Sequence, residues 1–317
     1  LLTAAKCCAP VRFPKRSWRC RLEADELVKW RHAGELARDA LQYGRKLIVD
    51  GADVLAAVTR IEDYVRRNDG GLAFPVNIAT DEEAAHWTPS SRTDRRFAAG
   101  ELVKLDVGVE IDGYIGDNAL TVEIDSSRHD ELRAAALKGL EQVIELAAPG
   151  VTTGVLGSAV QATIEACGLR PVANLTGHGI KRYDLHSGLS IPSVGGHRGP
   201  ALRKGDVIAV EPFATNGAGR VGGKRNSNIY HLAAPRRVRD SAAAELLEQI
   251  RSEFNGLPFA ERWLHAFSDE PRKPLQRLLR SGAVGFYPVL DELGHGMVAQ
   301  AEHTLLLTSG GVEVLTA

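Results

Sequence analysis

Asp106 and Asp117 lie in Leu102-Val-Lys-Leu-Asp-Val-Gly-Val-Glu-Ile-Asp-Gly-Tyr-Ile-Gly-Asp117, two apolar strand-like runs joined by Asp112-Gly113. Asp-Gly between such runs is a strong two-residue hairpin signal, because both turn residues can take positive φ. With that dipeptide as the turn, Gly108 faces Asp117. Asp106 then falls on the same face, one diagonal away, with alpha carbons about 7 to 8 Å apart. Convergent carboxylates repel unless they share a proton or hold a cation, and these strands are apolar enough to bury them. A metal site follows from that reading. The hairpin alone equally allows another, in which Asp106 caps a turn and Asp117 is a solvated strand residue.

Two more carboxylates occupy apolar surroundings. Glu211 directly follows the run Val207-Ile-Ala-Val, and Glu302 is expected within a strand from Val298 to Leu307. Burying them unpaired costs several kcal/mol, roughly, which adds weight to a metal. His178, in Asn174-Leu-Thr-Gly-His-Gly-Ile, sits in a glycine-flanked context suited to a tight loop; such a histidine alone is more often a hydrogen-bonded structural residue than a ligand.

The elements that must position these groups are mixed. Helical spacing runs from Leu22 to about Val49 and from about Val54 to Arg67. It resumes from a start at Ser127 to about Ala148, closed by Pro149-Gly150, and from Thr153 to Cys167. Strand character marks Leu102 to Glu110, Tyr114 to Ile124, Val207 to Ala214 and Val298 to Leu307. Without strict alternation of strand and helix, the pattern predicts α+β with an antiparallel sheet. Gly100-Glu-Leu-Val-Lys-Leu-Asp106 and Gly205-Asp-Val-Ile-Ala-Val-Glu211 form a weak repeat, as two related half-domains facing one another would produce. From about 233 to 284 the sequence turns charged and helix-favouring, which predicts a small, solvent-facing helical insertion remote from the chemistry.

The 317 residues, 44% hydrophobic and 25% charged, have the composition of a soluble globular protein large enough to bury its own core. A net charge of -1, from 39 basic and 40 acidic residues, gives no global field toward nucleic acid or anionic membranes. Cys7, Cys8, Cys20 and Cys167 lack the spacing of a zinc site or a disulfide scaffold, which fits a reducing cytosol. No apolar run reaches the roughly 18 to 20 residues that cross a bilayer, and export is not expected. Residues 1–21 carry Lys6, Arg12, Lys15, Arg16, Arg19 and Arg21 and no acidic residue, and are expected to form a disordered basic extension ahead of a 22–317 catalytic domain.

A family resemblance rests on Phe74-Pro-Val-Asn-Ile, Glu83-Ala-Ala-His-Trp-Thr-Pro, Val103-Lys-Leu-Asp-Val-Gly, Asp112-Gly-Tyr-Ile-Gly-Asp, Asn174-Leu-Thr-Gly-His, Leu185-His-Ser-Gly, Ile191-Pro, Ala209-Val-Glu-Pro-Phe-Ala-Thr and Ala299-Gln-Ala-Glu-His-Thr. In that order, from about Leu22 to the C-terminus, the chain resembles a type II methionine aminopeptidase of the archaeal kind. The resemblance implies the pita-bread fold, two pseudo-symmetric halves of helices over a curved antiparallel sheet, with a winged-helix-like insertion. It implies a metalloprotease, a hydrolase that removes the N-terminal methionine of nascent polypeptides. Asp106, Asp117, His178, Glu211 and Glu302 would hold two divalent ions, with Asp117 and Glu302 bridging; the oxygen-rich set suits Mn, Fe, Co or Zn. Glu211 would also take a proton from the attacking water, His86 and His186 would contact substrate and stabilise developing charge, and Phe74, Leu185 and Tyr287 would line the methionine pocket. A cytoplasmic monomer is implied, meeting its substrate at the ribosome, with no specific nucleic-acid or membrane partner.

Gly116, Asn118 and Ala301 depart from that pattern, where alanine, threonine and an aromatic residue are usual. All three adjoin ligands and none replaces one. His303 should point to the sheet face opposite Glu302, and His197, His231 and His295 are expected at surface or loop positions. Two alternatives share the fold. An X-Pro aminopeptidase or prolidase usually carries a further N-terminal domain, where this chain has about 21 residues before its first helix. A non-catalytic ribosome- or RNA-binding protein would have lost metal ligands, where all five are present here.

Overall fold

The computed structural model describes residues 24–196, 198–234 and 236–317. The basic extension and His197 lie outside the described residues, as does the expected helix start at Leu22.

Helix α1 (Ala24–Arg45) buries Trp30, Ala33, Leu36, Ala37, Ala40 and Leu41, the stripe its spacing predicts. Helix α2 (Val54–Arg67) is capped by the Asp53 side chain, which accepts from the Ala56 N–H at 2.8 Å. Both helices pack on strands β1 (Asn77–Thr80), β2 (Leu102–Ile111) and β3 (Tyr114–Glu123), around a core that includes Ile61, Ile78, Leu105 and Val107. In the second half, α3 (Asp130–Leu146) and α4 (Thr153–Ala166) cover β4 (Thr176–Ile180) and β5 (Val207–Val210), with Leu140, Leu156, Ile208 and Leu305 in a second core. The chain continues through β6 (Phe213–Thr215), β7 (Asn226–Leu232), α5 (Ser241–Phe254), α6 (Arg272–Ser281), β8 (Val284–Pro288), β9 (Val298–Gln300) and β10 (His303–Thr308). The paired strands among the described residues run antiparallel, as the α+β reading requires. The Gly100 and Gly205 repeat is visible in space. Both glycines take left-handed φ, 86° and 88°, at the turn that opens a strand which carries Asp106 in one half and leads into Glu211 in the other.

Three boundaries differ from expectation. Ser127 does not start α3, which begins at Asp130. The buried Glu123 carboxylate instead accepts from the Arg128 and His129 backbone N–H groups, both at 3.0 Å. The run Val207 to Ala214 is not continuous: β5 stops at Val210 and β6 starts at Phe213, because Pro212 has no N–H to give a ladder. Val298 to Leu307 breaks likewise, between Gln300 and His303, so Glu302 lies outside a strand.

Residues around α5 and α6 build a core of their own, with Leu246, Ile250, Phe259, Leu264 and Leu278 over a sheet of β7, β8 and Phe259–Ala260. This segment is fastened to the first half by a buried ion pair. The Arg262 guanidinium bonds the Glu62 carboxylate and reaches the Thr88 hydroxyl at 3.0 Å and the Pro89 carbonyl at 2.8 Å. The Trp263 indole N–H donates to the other Glu62 oxygen at 2.8 Å. Glu62 and Arg262 are only 2% and 8% exposed, so removing one partner strands the other's charge. Arg262→Ala should therefore lower the unfolding free energy by about 3–5 kcal/mol, measured by urea denaturation. The double change Glu62→Leu with Arg262→Met should recover most of that loss.

Candidate metal centre

The hairpin forms as its turn signal predicts. Asp112 and Gly113 take φ of 51° and 85°, Ile111 pairs with Tyr114, and Gly108 faces Asp117. Asp106 thus points to the Asp117 face, and the absent side chain at Gly108 leaves room for the Phe74 ring, which a Cβ there would meet at 2.1 Å. His178 is in the middle of β4, paired with Ala209, rather than on a loop. Glu211 and Glu302 sit at a shared interruption of one antiparallel ladder. Val210 pairs with His303 on one side of it and Phe213 with Gln300 on the other. At that gap the Glu302 backbone bonds the first half instead: its N–H donates to the Ala119 carbonyl at 3.0 Å.

These elements bring all five predicted ligands to one cavity. The His178 Nε2 lies 3.6 Å from an Asp117 oxygen and 3.7 Å from a Glu211 oxygen. One donor atom each from Asp117, His178 and Glu302 falls within 4.8 Å of the others. Asp106 and Glu211 complete the lining. Burial pushes the Asp106 carboxyl up to about 7. Burial, then repulsion by Asp106 and Glu211, holds Asp117 well above the usual carboxylate range. Glu211 and Glu302 rise for the same two reasons. Burial lowers His178 to about 3, leaving it a neutral imidazole with a lone pair to offer. The Asp106 and Asp117 Oδ1 atoms are buried without a hydrogen-bond partner. Acceptor-only oxygens clustered around a neutral imidazole, with donors missing, fit a divalent cation.

The second layer of the site is aromatic and imidazole. The His86 and Tyr287 rings are 5.4 Å apart, and those of His178 and His186 4.5 Å. His86 holds a φ of 62°, uncommon for a residue with a side chain, and its flanks are tied by Ile78 N–H to Trp87 carbonyl at 2.8 Å and Thr88 N–H to Ser227 carbonyl at 3.1 Å. Burial lowers its pKa to about 4, and lowers that of His186. The loop carrying Leu185 and His186 leans on the first half, where the Tyr183 N–H donates to the Gly113 carbonyl at 2.8 Å.

Phe74, Leu185 and Tyr287 line the cavity. So do Asn77, Ile229 and Pro258, which the sequence reading did not single out. Asn77 lies inside the Phe74-Pro-Val-Asn-Ile motif; Pro258 carried no signal, and it places the segment expected to stand apart from the chemistry at the cavity wall. His231 is also corrected: it is half-buried in β7, with its ring 5.0 Å from that of Tyr287. His295 is exposed, and His303 turns away to the Thr316 hydroxyl at 2.9 Å, both as expected. The three departures are absorbed locally. A Cβ at Gly116 would lie 2.6 Å from the Ala33 carbonyl oxygen, so glycine admits α1 against β3. Asn118, oriented to satisfy its amide, donates to the Val107 carbonyl and accepts from the Arg38 N–H. Ala301 leaves an outer-face groove beside Leu41, Leu120 and Leu137.

The raised carboxyls fix a pH dependence. Each keeps its proton in the metal-free fold at a pH where the unfolded chain has lost it, so these groups lower stability as pH rises from about 4 toward the folded value, about 7 for Asp106. A cation must expel those protons. Mn titrated into metal-free protein should therefore release more protons at pH 6 than at pH 8, and bind more tightly at pH 8. Calorimetry in buffers of different ionisation heat measures this directly.

A family model, Metallopeptidase family M24, matches residues 28–309. The methionine aminopeptidase of Methanocaldococcus jannaschii is 39% identical over 295 residues, 93% of this chain and 100% of that protein. That of Pyrococcus horikoshii is 40% identical over 298 residues, again 93% and 100%. The crystal structure of the Thermotoga maritima methionine aminopeptidase superposes with a TM-score of 0.68 at 24% identity, covering 93% of this chain and 97% of that one, a likeness that establishes the pita-bread fold. With a family model matched over most of its length and this extent of identity, the chain belongs to metallopeptidase family M24, alongside the archaeal methionine aminopeptidases it resembles.

Proposed function

We propose that this protein is a metal-dependent aminopeptidase that hydrolyses the N-terminal methionine from nascent polypeptides. The observation that carries the reading is the convergence of four carboxylates, two buried and two half-buried, and a neutral histidine on one cavity, in a chain 39–40% identical to methionine aminopeptidases over nearly its whole length. Asp106, Asp117, His178, Glu211 and Glu302 would hold two divalent ions (Co, Mn, Fe or Zn). Ions held there supply Lewis-acid polarisation of the scissile carbonyl and lower the pKa of an attacking water.

The chain's own groups do the rest. Glu211, at the ladder gap and 3.7 Å from His178, is placed to take the water's proton. His86 and His186 are neutral at pH 7, so each can hydrogen-bond the substrate without adding positive charge beside the ions. Phe74, Leu185 and Tyr287 give the first side chain an apolar seat, suited to a flexible thioether. We further read 233–284 as a winged-helix-like insertion in the 22–317 catalytic domain, and the protein as a cytoplasmic monomer that meets its substrate at the ribosome.

The X-Pro peptidase and non-catalytic readings have less support, because the relatives matched end to end are methionine aminopeptidases and every candidate ligand is retained. Metal-stripped protein resupplied with Mn, Fe, Co or Zn should release methionine from Met-Ala-Ser and leave an X-Pro dipeptide intact. Asp117→Ala should abolish release, and His186→Ala should lower kcat about 10²- to 10³-fold. Cleavage of the X-Pro substrate alone would move the protein to the prolidases.

A further inference from the structure

The Tyr287 ring is a cavity wall, yet no hydrogen bond of its hydroxyl stands among those of the described residues; neighbouring rings place it. The Tyr287 ring centroid lies 5.4 Å from that of His86 and 5.0 Å from that of His231. His231 does not line the cavity. It lies on β7 opposite Gly285 of β8, so it shares a face with Tyr287 one diagonal away. Gly285 leaves that spot empty and the imidazole fills it: a Cβ on Gly285 would stand 2.6 Å from the His231 Nε2 and 2.8 Å from its Cε1. The ring cannot spin freely, because its Nδ1 lies 3.0 Å from the Leu232 carbonyl oxygen, an acceptor that requires the proton to be on Nδ1.

We infer that His231 is a specificity-determining positioning residue, which wedges Tyr287 against the cavity and so sets how sharply methionine is preferred over a bulkier first residue. The inference rests on the aminopeptidase reading. Without the imidazole, the space over Gly285 opens directly behind Tyr287, and the phenol can swing into it. The pocket then widens on one side only, away from the metal ligands. A larger side chain such as phenylalanine gains room, and methionine loses contact with the wall. His231 acts through packing, so another flat ring should serve nearly as well.

The experiment compares kcat/KM for Met-Ala-Ser and Phe-Ala-Ser in the metal-loaded full chain. For wild type, release of methionine tests the aminopeptidase reading by itself. His231→Ala should lower the Met-to-Phe preference about two- to tenfold, the worth of one aromatic contact, mainly through KM. His231→Phe should restore it. Gly285→Ala, which crowds the imidazole rather than removing it, should also shift the preference, and it serves as the test if His231→Ala melts below the assay temperature. An active wild type whose variants keep an unchanged preference, or lose both substrates equally, would overturn the role of His231 and leave the aminopeptidase reading intact.

Discussion

Asp106, Asp117, Glu211 and Glu302 crowd one cavity, where desolvation raises the affinity of each for protons and repulsion between them raises it further for Asp117, Glu211 and Glu302. Left to themselves, such groups neutralise or pull their surroundings apart. The fold can hold them because the charges are carried on backbone that is fixed for other reasons. Asp106 and Asp117 ride on a hairpin of ten-residue strands, and β5 is buried along its whole length just before Glu211. The metal-free centre is thus a reservoir of unfavourable energy sustained by two hydrophobic cores. A divalent cation relieves it, which is why binding and stability are linked here.

The same constraint explains where the strands stop. A carboxylate within a continuous ladder must take the face that the pleat dictates. Glu211 and Glu302 escape this by sharing one gap, where Pro212 offers no N–H and the Glu302 backbone turns to Ala119. The gap is stitched from both sides. The Thr304 hydroxyl bonds the Asp117 backbone N–H and carbonyl, each at 2.8 Å, and the Thr121 hydroxyl bonds the Gln300 carbonyl and N–H at 2.7 and 2.8 Å. Four hydrogen bonds therefore cross between halves within two residues of Asp117 or Glu302, so the carboxylates keep their separation although they come from distant parts of the chain.

Much of this was legible in the residues. Asp112-Gly113 fixed the register that aligns Asp106 with Asp117, since a two-residue turn leaves no freedom to slip. The helical stripes of α1, α2 and α4 emerged close to where their spacing put them, and the Gly100 and Gly205 repeat marked the two halves. What stayed hidden was non-local. The ladder gap depends on two runs far apart in sequence, although Pro212 was a local clue to half of it. Ser127 had the look of a helix cap, but Glu123, from the end of the preceding strand, supplies the carboxylate that meets the helix entry. Pro258 and His231 gave no warning, because their meaning comes only from what lies against them.

Pro258 and His231 belong to the same part of the fold as Tyr287. Ile229, Pro258 and Tyr287 lie on or beside the one three-stranded sheet of the segment with its own core, whereas the candidate ligands come from the two helix-covered halves. One wall of the proposed side-chain pocket is thus built on a different support from the candidate metal ligands, joined where Arg262 grips Glu62, Thr88 and Pro89. Thr88 is two residues from His86, so that one buried ion pair braces both the Tyr287 wall of the cavity and the backbone beside the His86 imidazole. Sequence can vary within the segment's core and adjust the pocket while the ligands stay put. It cannot vary freely at Glu62 or Arg262, because loosening that grip would move the wall and His86 at once.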